Sequence, residues 1–228
     1  MTDRDATSSP DSTDSRLPEG RLLLLTDVDS TLIRNEVIDL LADEAGCGTE
    51  VADVTARAMA GELDFEQSLR ARVRLLAGLD VAALGRADAR VTYTSGAAEL
   101  MSALRAAGHA TAIVSGGFTH FTDRFRRELG IDHAYANELE IVDGRLTGQV
   151  VGEVVGPGTK ARLVRELAAA EGVPMSRTVA VGDGANDSEM VAAAALGVAF
   201  CAKPALRAVA DVVIDEPDLR HVLPLLGL

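Results

Sequence analysis

Hydrophobic positions along the chain follow two alternating rhythms. The four leucines within Arg21 to Thr26 make a short unbroken apolar run, the pattern of a strand buried on both faces of a parallel sheet. It leads straight into the polar segment Asp27-Val28-Asp29-Ser30-Thr31. From Glu36 to about Arg90 apolar residues recur three and four positions apart, as in Val37-Ile38-Leu40-Leu41 and Phe65-Leu69-Val73-Leu76. That spacing predicts helices, punctuated at Gly46, Gly61 and Gly78, with no strand among them. Helix and strand patterns then alternate: a helix over Ala97 to Ala107, a strand over Ala110 to Val114, a helix near Thr119 to Leu129 and a short strand at His133 to Ala136. A polar hairpin is predicted over Glu138 to Thr147, turning at Asp143-Gly144. A helix over Lys160 to Glu171, a strand over Thr178 to Val181, a helix over Asp187 to Ala195 and a strand over Val198 to Cys201 complete the series.

Alternation of this kind specifies an α/β protein with a doubly wound, mostly parallel, Rossmann-like sheet. Such sheets bind ligands beyond the carboxyl ends of their strands, and three separate strands here end in polar motifs. The helical stretch inserted after the first strand falls above that crevice, in the position of a cap. The expected organisation is a core over residues 21–33 and 92–228 and a helical cap over residues 34–91. Residues 1–20 are rich in Ser, Thr, Asp and Pro, with few large apolar groups and no signal or transit pattern, and predict a disordered tail.

Composition narrows the function. With 228 residues and 47% hydrophobic side chains the chain can bury a full core. A formal charge of -13 repels phosphate-rich polymers and anionic lipid, so neither nucleic acid nor a membrane surface is an expected partner. Any phosphate site must be local. The longest apolar stretches, Leu22 to Leu25 and Val191 to Ala202, are too short or too interrupted to span a bilayer. Cys47 and Cys201, far apart in apolar or small-residue surroundings, are expected to be buried thiols in a reducing, cytoplasmic compartment rather than a disulfide pair.

Four motifs carry candidate chemistry. Asp27 and Asp29, with one residue between them, are expected to point to different sides and to take separate jobs: one attacks an electrophile while the other exchanges protons with the leaving oxygen. Ser115-Gly116-Gly117 follows an apolar strand and offers a hydroxyl and unshielded amides to an anion. Lys160, after the glycine-rich Gly156-Pro157-Gly158-Thr159, places an ammonium where it can neutralise phosphate or a carboxylate. Gly182-Asp183-Gly184-Ala185-Asn186-Asp187 packs two carboxylates and an amide between glycines, suiting a hard cation such as magnesium, and Asp187 can also cap the next helix. Each alone has an ordinary structural explanation. Together they supply nucleophile, acid/base, phosphate anchor, cation and metal ligands, the inventory of phosphoryl transfer.

In this order the motifs resemble those of the haloacid dehalogenase superfamily of phosphatases, over roughly residues 21–228. Within the predicted cap, Glu36, Met59, Phe65 and Arg72 fall where phosphoserine phosphatases of that superfamily carry their substrate-selecting residues. The resemblance implies hydrolysis of O-phospho-L-serine to serine and phosphate, the last step of serine biosynthesis, through an aspartyl-phosphate on Asp27, with Asp29 as acid and then base. It implies Mg2+ held by Asp27, the backbone carbonyl of Asp29 and Asp183, with Asn186 and Asp187 shaping the surrounding shell. Ser115, Gly116, Gly117 and Lys160 would hold the phosphoryl group, Arg72 the serine carboxylate and Glu36 its ammonium, while Met59 and Phe65 form an apolar wall. Val28 is smaller than its counterparts in many relatives, and its side chain is expected to pack inward. The glycine-rich stretch before Lys160 is a second departure. No regulatory amino-acid-binding domain is expected ahead of Arg21, and a homodimer is compatible with the chain. Two rival readings stand beside this one: a phosphatase or phosphotransferase acting on another small phosphomonoester such as phosphohomoserine, and a catalytically silent phosphometabolite sensor.

Overall fold

Consecutive leucines build the centre of the molecule. The computed structural model, which describes residues 17–228, opens with β1 (Leu23–Thr26), then an irregular helical turn over Val28–Leu32 kinked at Asp29 and Ser30. Four helices follow: α1 (Val37–Ala45), α2 (Gly48–Met59), α3 (Phe65–Arg74) and α4 (Ala82–Asp88). The chain continues through α5 (Ala97–Ala106), β2 (Ala110–Phe118), α6 (Thr119–Leu129), β3 (His133–Val142), β4 (Arg145–Val151) and α7 (Pro157–Ala170). It ends with β5 (Thr178–Gly182), α8 (Ser188–Ala193), β6 (Leu196–Phe200), the short α9 (Pro204–Arg207), β7 (Val212–Ile214) and the short α10 (Leu223–Leu226).

The strands form one seven-stranded sheet in the order β4-β3-β2-β1-β5-β6-β7, parallel except for the β3–β4 hairpin. Leu23 and Leu25 pack into the core layer on one face of the sheet, and Leu22 and Leu24 into the layer on the other. A strand buried on both sides therefore needs an unbroken apolar run. Val28 packs inward into the same core as Leu24, as its sequence position implied. Among the described residues no helix is long and apolar enough to cross a membrane.

The motif-bearing strands are neighbours at the sheet's centre. Thr26 pairs with Ile113 on one side and Val181 on the other, so the segments leaving β1, β2 and β5 emerge along one rim. The Asp27 N–H donates to Val181 O at 2.9 Å, which holds the first motif against the strand that leads into Asp183.

Several boundaries differ from the sequence reading for identifiable reasons. β2 runs on through Ser115-Gly116-Gly117 to Phe118, so that motif is extended strand rather than a turn. The helix predicted from Lys160 starts earlier, within the glycine-rich stretch: Gly156 is the N-cap, Pro157 opens α7 with its preset φ, and Lys160 lies within the first turn. The strand at His133 does not stop at Ala136 but continues into the hairpin as one element. Asp187 does not cap α8 with its side chain; its carboxylate turns back to the N–H groups of Asp183 and Gly184. The cysteines are free but not buried. Cys47 is half-buried in the α1–α2 connector, and Cys201 is exposed where the chain leaves β6 in a left-handed turn. The tail expected over residues 1–20 falls outside the described residues up to position 16, whereas Leu17 is buried in the core.

The β3–β4 hairpin does more than close the sheet's edge. Its backbone straps the loop between α3 and α4, with Gly78 N donating to Leu146 O, Leu146 N to Leu79 O and Val81 N to Gly144 O, all between 2.8 and 2.9 Å. Gly148 permits this approach, since a Cβ there would stand 2.9 Å from that of Ala77. The helical insertion is thereby fixed at its far end, leaving α1, α2 and α3 to face the strand ends.

Candidate active site

A cleft of about 790 Å³ opens between the rim of the sheet and these helices. Asp27, Asp29, Glu36, Met59, Phe65, Arg72, Gly116, Gly117, Asp183 and Asn186 all line it. The remaining predicted residues lie just beneath. Lys160 and Asp187 are fully buried under its floor, and Ser115 is buried beside it.

The floor is a chain of charges. Lys160 Nζ donates to Asp27 Oδ1 at 2.7 Å and to Asp187 Oδ1 at 2.6 Å. Asp187 Oδ2 in turn accepts from the Asp183 and Gly184 N–H groups at 3.2 and 3.1 Å. Gly182 makes room for this carboxylate, since a Cβ there would lie 2.6 Å from it. Asp27, Asp183 and Asp187 each bring an oxygen within 4.8 Å of the others.

Three buried carboxylates surround one buried ammonium, which bonds two of them, so negative charge is in excess on the floor. Burial, with Asp187 adding to it, accordingly pushes the Asp27 carboxyl up to about 8 against the pull of Lys160. Burial and Asp187 push Asp183 up to about 6. Burial lowers the proton affinity of Lys160, but Asp187 and Asp27 outweigh it, so the ammonium stays charged. The donor set, all hard oxygen with negative charge to spare, fits a divalent cation such as Mg2+.

Asp29 lines the same cleft but takes no part in the Lys160 pairing; strand alternation would put residues two positions apart on one side, and what separates the Asp27 and Asp29 carboxylates is the kink at Asp29 and Ser30. Asp29 receives the Val37 N–H, and its Oδ1 is buried without a hydrogen-bond partner. Burial, Glu36 and Asp27 hold its carboxyl well above the usual range. The kink that aims it includes Ser30, whose φ of 55 is left-handed and whose Oγ donates to Glu36 Oε1 at 2.7 Å.

On the opposite wall the chain's local rules are easy to follow. Asp64 caps α3 through a reciprocal capping box with Gln67. Phe65, Leu69 and Arg72 then fall on one helical face together with Ser68. The Phe65 ring rests on the glycine strand, where a Cβ at Gly116 would meet it at 2.9 Å. A Cβ at Gly117 would meet Val37 at 2.8 Å, and the Gly117 N–H is held by Ser115 Oγ at 2.8 Å. Burial pulls Arg72 below its ordinary range, while Glu36, Asp39 and Asp29 pull it back. Met59 sits on the cleft's rim but is 72% exposed, so in this conformation it edges the opening rather than walling it.

Three residues escaped the sequence reading. Asp39 lines the cleft beside Arg72, three positions after Glu36, a helical spacing that marks it as a neighbour. Lys203 lines the wall next to Asp183. Asn137, on β3 and 1% exposed, holds the glycine strand from behind. Its Nδ2 donates to Gly116 O and Gly117 O at 2.9 and 3.2 Å, and its Oδ1 accepts the Val155 N–H at 2.9 Å. One amide thus joins the anion-binding strand to the connector that delivers Lys160. Asn137→Ala is expected to cost about 1–3 kcal/mol in urea unfolding, because buried backbone groups lose their partner. Asn137→Asp should cost more, since an ionised carboxylate would face two carbonyl oxygens; the reverse ranking would contradict this bonding.

The family model described as haloacid dehalogenase-like hydrolase matches residues 24–192. The phosphoserine phosphatase of Streptomyces coelicolor is 58% identical over 90% of this chain, which spans 50% of that relative's length. That of Archaeoglobus fulgidus is 50% identical, and the chain spans 60% of it. The chain therefore spans only about half to three-fifths of these two relatives. The Streptococcus thermophilus phosphoserine phosphatase is 48% identical over 92% of the chain and 98% of its own length. Two solved structures, at 46% identity, cover 90% of this chain and 98% of their own. One is a phospho-aspartyl intermediate analogue of phosphoserine phosphatase, with a TM-score of 0.85, and the other a substrate-bound phosphoserine phosphatase complex, with a TM-score of 0.86.

Proposed function

The chain belongs to the haloacid dehalogenase-like hydrolase family, and on that premise we propose that it hydrolyses O-phospho-L-serine to serine and phosphate. The observation that carries the reading is the pairing of two differently placed carboxylates. Asp27 has one oxygen held by Lys160, while Asp29 lines the same cleft with its carboxyl held well above the usual range and one buried oxygen left without a partner. Residues 34–91 serve as the cap in this reading, over a core of residues 21–33 and 92–228.

Asp27 attacks phosphorus, forming an Asp–O–P bond as the bond to the serine oxygen breaks, and Asp29 gives its proton to that departing oxygen. Water then attacks the aspartyl-phosphate; Asp29, now ionised, accepts the water's proton, phosphate leaves and Asp27 is regenerated. The Gly116 N–H, the Ser115 hydroxyl and Asn186 receive the phosphoryl oxygens, and the Gly117 N–H holds Ser115 Oγ in place. Mg2+ would be held by Asp27, Asp183 and the carbonyl of Asp29, with Asp187, its oxygens already taken, orienting the shell. When bound, the cation supplies two positive charges that keep Asp27 ionised and draw charge from the phosphoryl oxygens. Lys160 fixes the attacking carboxylate in place. Phe65 and Met59 exclude water when the cap closes.

Arg72 and Glu36, neighbours in the lining of the cleft, match the carboxylate and ammonium of the substrate. The test is phosphate release, with magnesium and with chelator, from L-phosphoserine, phosphohomoserine, phosphoethanolamine and para-nitrophenyl phosphate. Magnesium-dependent preference for L-phosphoserine is expected. Arg72→Ala should raise the KM for L-phosphoserine about 100-fold while leaving phosphoethanolamine, which lacks a carboxylate, nearly unchanged. Preference for phosphohomoserine, or an equal effect of the variant on both esters, would overturn the substrate assignment.

A further inference from the structure

Lysine is nearly absent from this chain. Of its 22 lysine and arginine side chains, two are lysines, Lys160 and Lys203, and both stand at the active site. Elsewhere arginine fills every place where a solvated cation suffices, including ion pairs such as Arg57–Glu62 and Arg162–Glu166. An ammonium differs from a guanidinium in being a compact point charge without a planar fork, so a position that keeps lysine is one where a small, freely oriented donor is useful. For Lys160 the reason is visible, because its nitrogen fills a buried slot between two carboxylates.

Lys203 has no such internal duty. It lies in the connector between β6 and α9, and its N–H donates to Asp183 O at 2.9 Å, which fixes this position beside the metal-site carboxylate. Its side chain lines the cleft with Asp27, Asp183 and Asn186. Among the described residues no carboxylate stands within ion-pair distance of its ammonium; the ion pairs that lysine makes are those of Lys160. The cleft wall otherwise carries Asp27, Asp29, Glu36, Asp39 and Asp183 against one further cation, Arg72, which sits on the far side beside Glu36 and Asp39. A phosphate dianion entering this acidic cleft meets Lys203 as the cation nearest Asp183.

We propose that Lys203 is a phosphate-binding residue, whose ammonium receives the phosphoryl dianion of the incoming monoester and holds inorganic phosphate before release. The proposal rests on the phosphatase reading for the identity of the ester, but not for the binding of phosphate itself. Lys203→Gln is expected to raise both the KM for L-phosphoserine and the inhibition constant of inorganic phosphate about tenfold, the worth of one charge-assisted contact, with kcat changed far less. The variant's dependence of kcat/KM on salt should also be shallower. Unchanged constants in a folded variant, alongside an active parent, would overturn the proposal.

The two-lysine composition permits a second test that needs no turnover. Lys160 is fully buried, so mild acetylation of the folded protein should fall on Lys203 and the N-terminal amine. With magnesium present, inorganic phosphate should slow acetylation of Lys203 several-fold, measured by peptide mass spectrometry, and leave the N-terminal amine unaffected. Equal acetylation with and without phosphate would contradict phosphate binding at Lys203 even if the protein hydrolysed no ester. Protection of Lys203 in a protein inactive on every ester would support the phosphate site and overturn the phosphatase reading instead.

Discussion

Asp27→Asn is expected to lower kcat for L-phosphoserine by at least about 10⁴-fold, as loss of a nucleophile does, and yet to make the metal-free protein more stable. The amide cannot attack phosphorus, so no aspartyl-phosphate forms. The stability gain follows from the crowding at the cleft floor. The Asp27 carboxyl is pushed from 3.8 up to about 8 by burial and its acidic neighbours, so its ionisation opposes folding. Its favourable contribution is complete below about pH 4, the unfolded value, and is lost as pH rises through about 8. Asparagine carries no charge at any pH. In chelator, the advantage of the variant should therefore be small at pH 5 and grow toward pH 8, read as the difference in melting temperature. A variant less stable than the parent at pH 8 would contradict this account of the floor, whatever its activity.

Lys160→Met should do the opposite to stability and the same to turnover. Removing the ammonium strands Asp27 and Asp187, both buried, without their cation. Breaking a buried ion pair by deleting one partner costs about 3–5 kcal/mol, so chelator-treated Lys160→Met should unfold in markedly less urea at pH 8. The deficit should narrow at acid pH, where the Asp27 carboxyl takes up its proton. Loss of the group that fixes the attacking carboxylate should lower kcat on the order of 10³-fold. Lys160→Arg is not expected to rescue either property, because the slot is defined by bonds of 2.7 and 2.6 Å to a single nitrogen. Rescue by arginine would show that only charge matters there.

Three of the four motifs that were legible in the sequence share one property: each sits at the end of an apolar run. Asp27 follows four leucines, Ser115 follows Ala110 to Val114, and Asp183 follows Thr178 to Val181, so a doubly wound sheet brings them to one rim. The order β2-β1-β5 then makes them adjacent. What stayed hidden depends on pairings that no local pattern carries. Asn137 looks like an ordinary polar strand residue until β3 lies beside β2 and turns its amide toward Gly116. Lys203 lies in a segment after Cys201 where β7, only three residues long, gives too short a run to mark an element. The buried-thiol expectation for Cys201 failed because the strand ends one residue earlier, at Phe200, and the chain then turns outward. Met59 illustrates a different limit. It was placed at the site by resemblance alone, and its 72% exposure at the end of α2 depends on how that helix stands over the strand ends, which no local pattern carries.

The central claim is that phosphate passes through Asp27, and the most direct measurement is to catch it there. Acid-quenching the protein during turnover of L-phosphoserine with magnesium, followed by peptide mapping, should find one phosphate on the peptide containing Asp27, labile to hydroxylamine and absent from Asp27→Asn. Phosphate on a different residue, or turnover retained by Asp27→Asn with no phosphorylated peptide, would contradict the account.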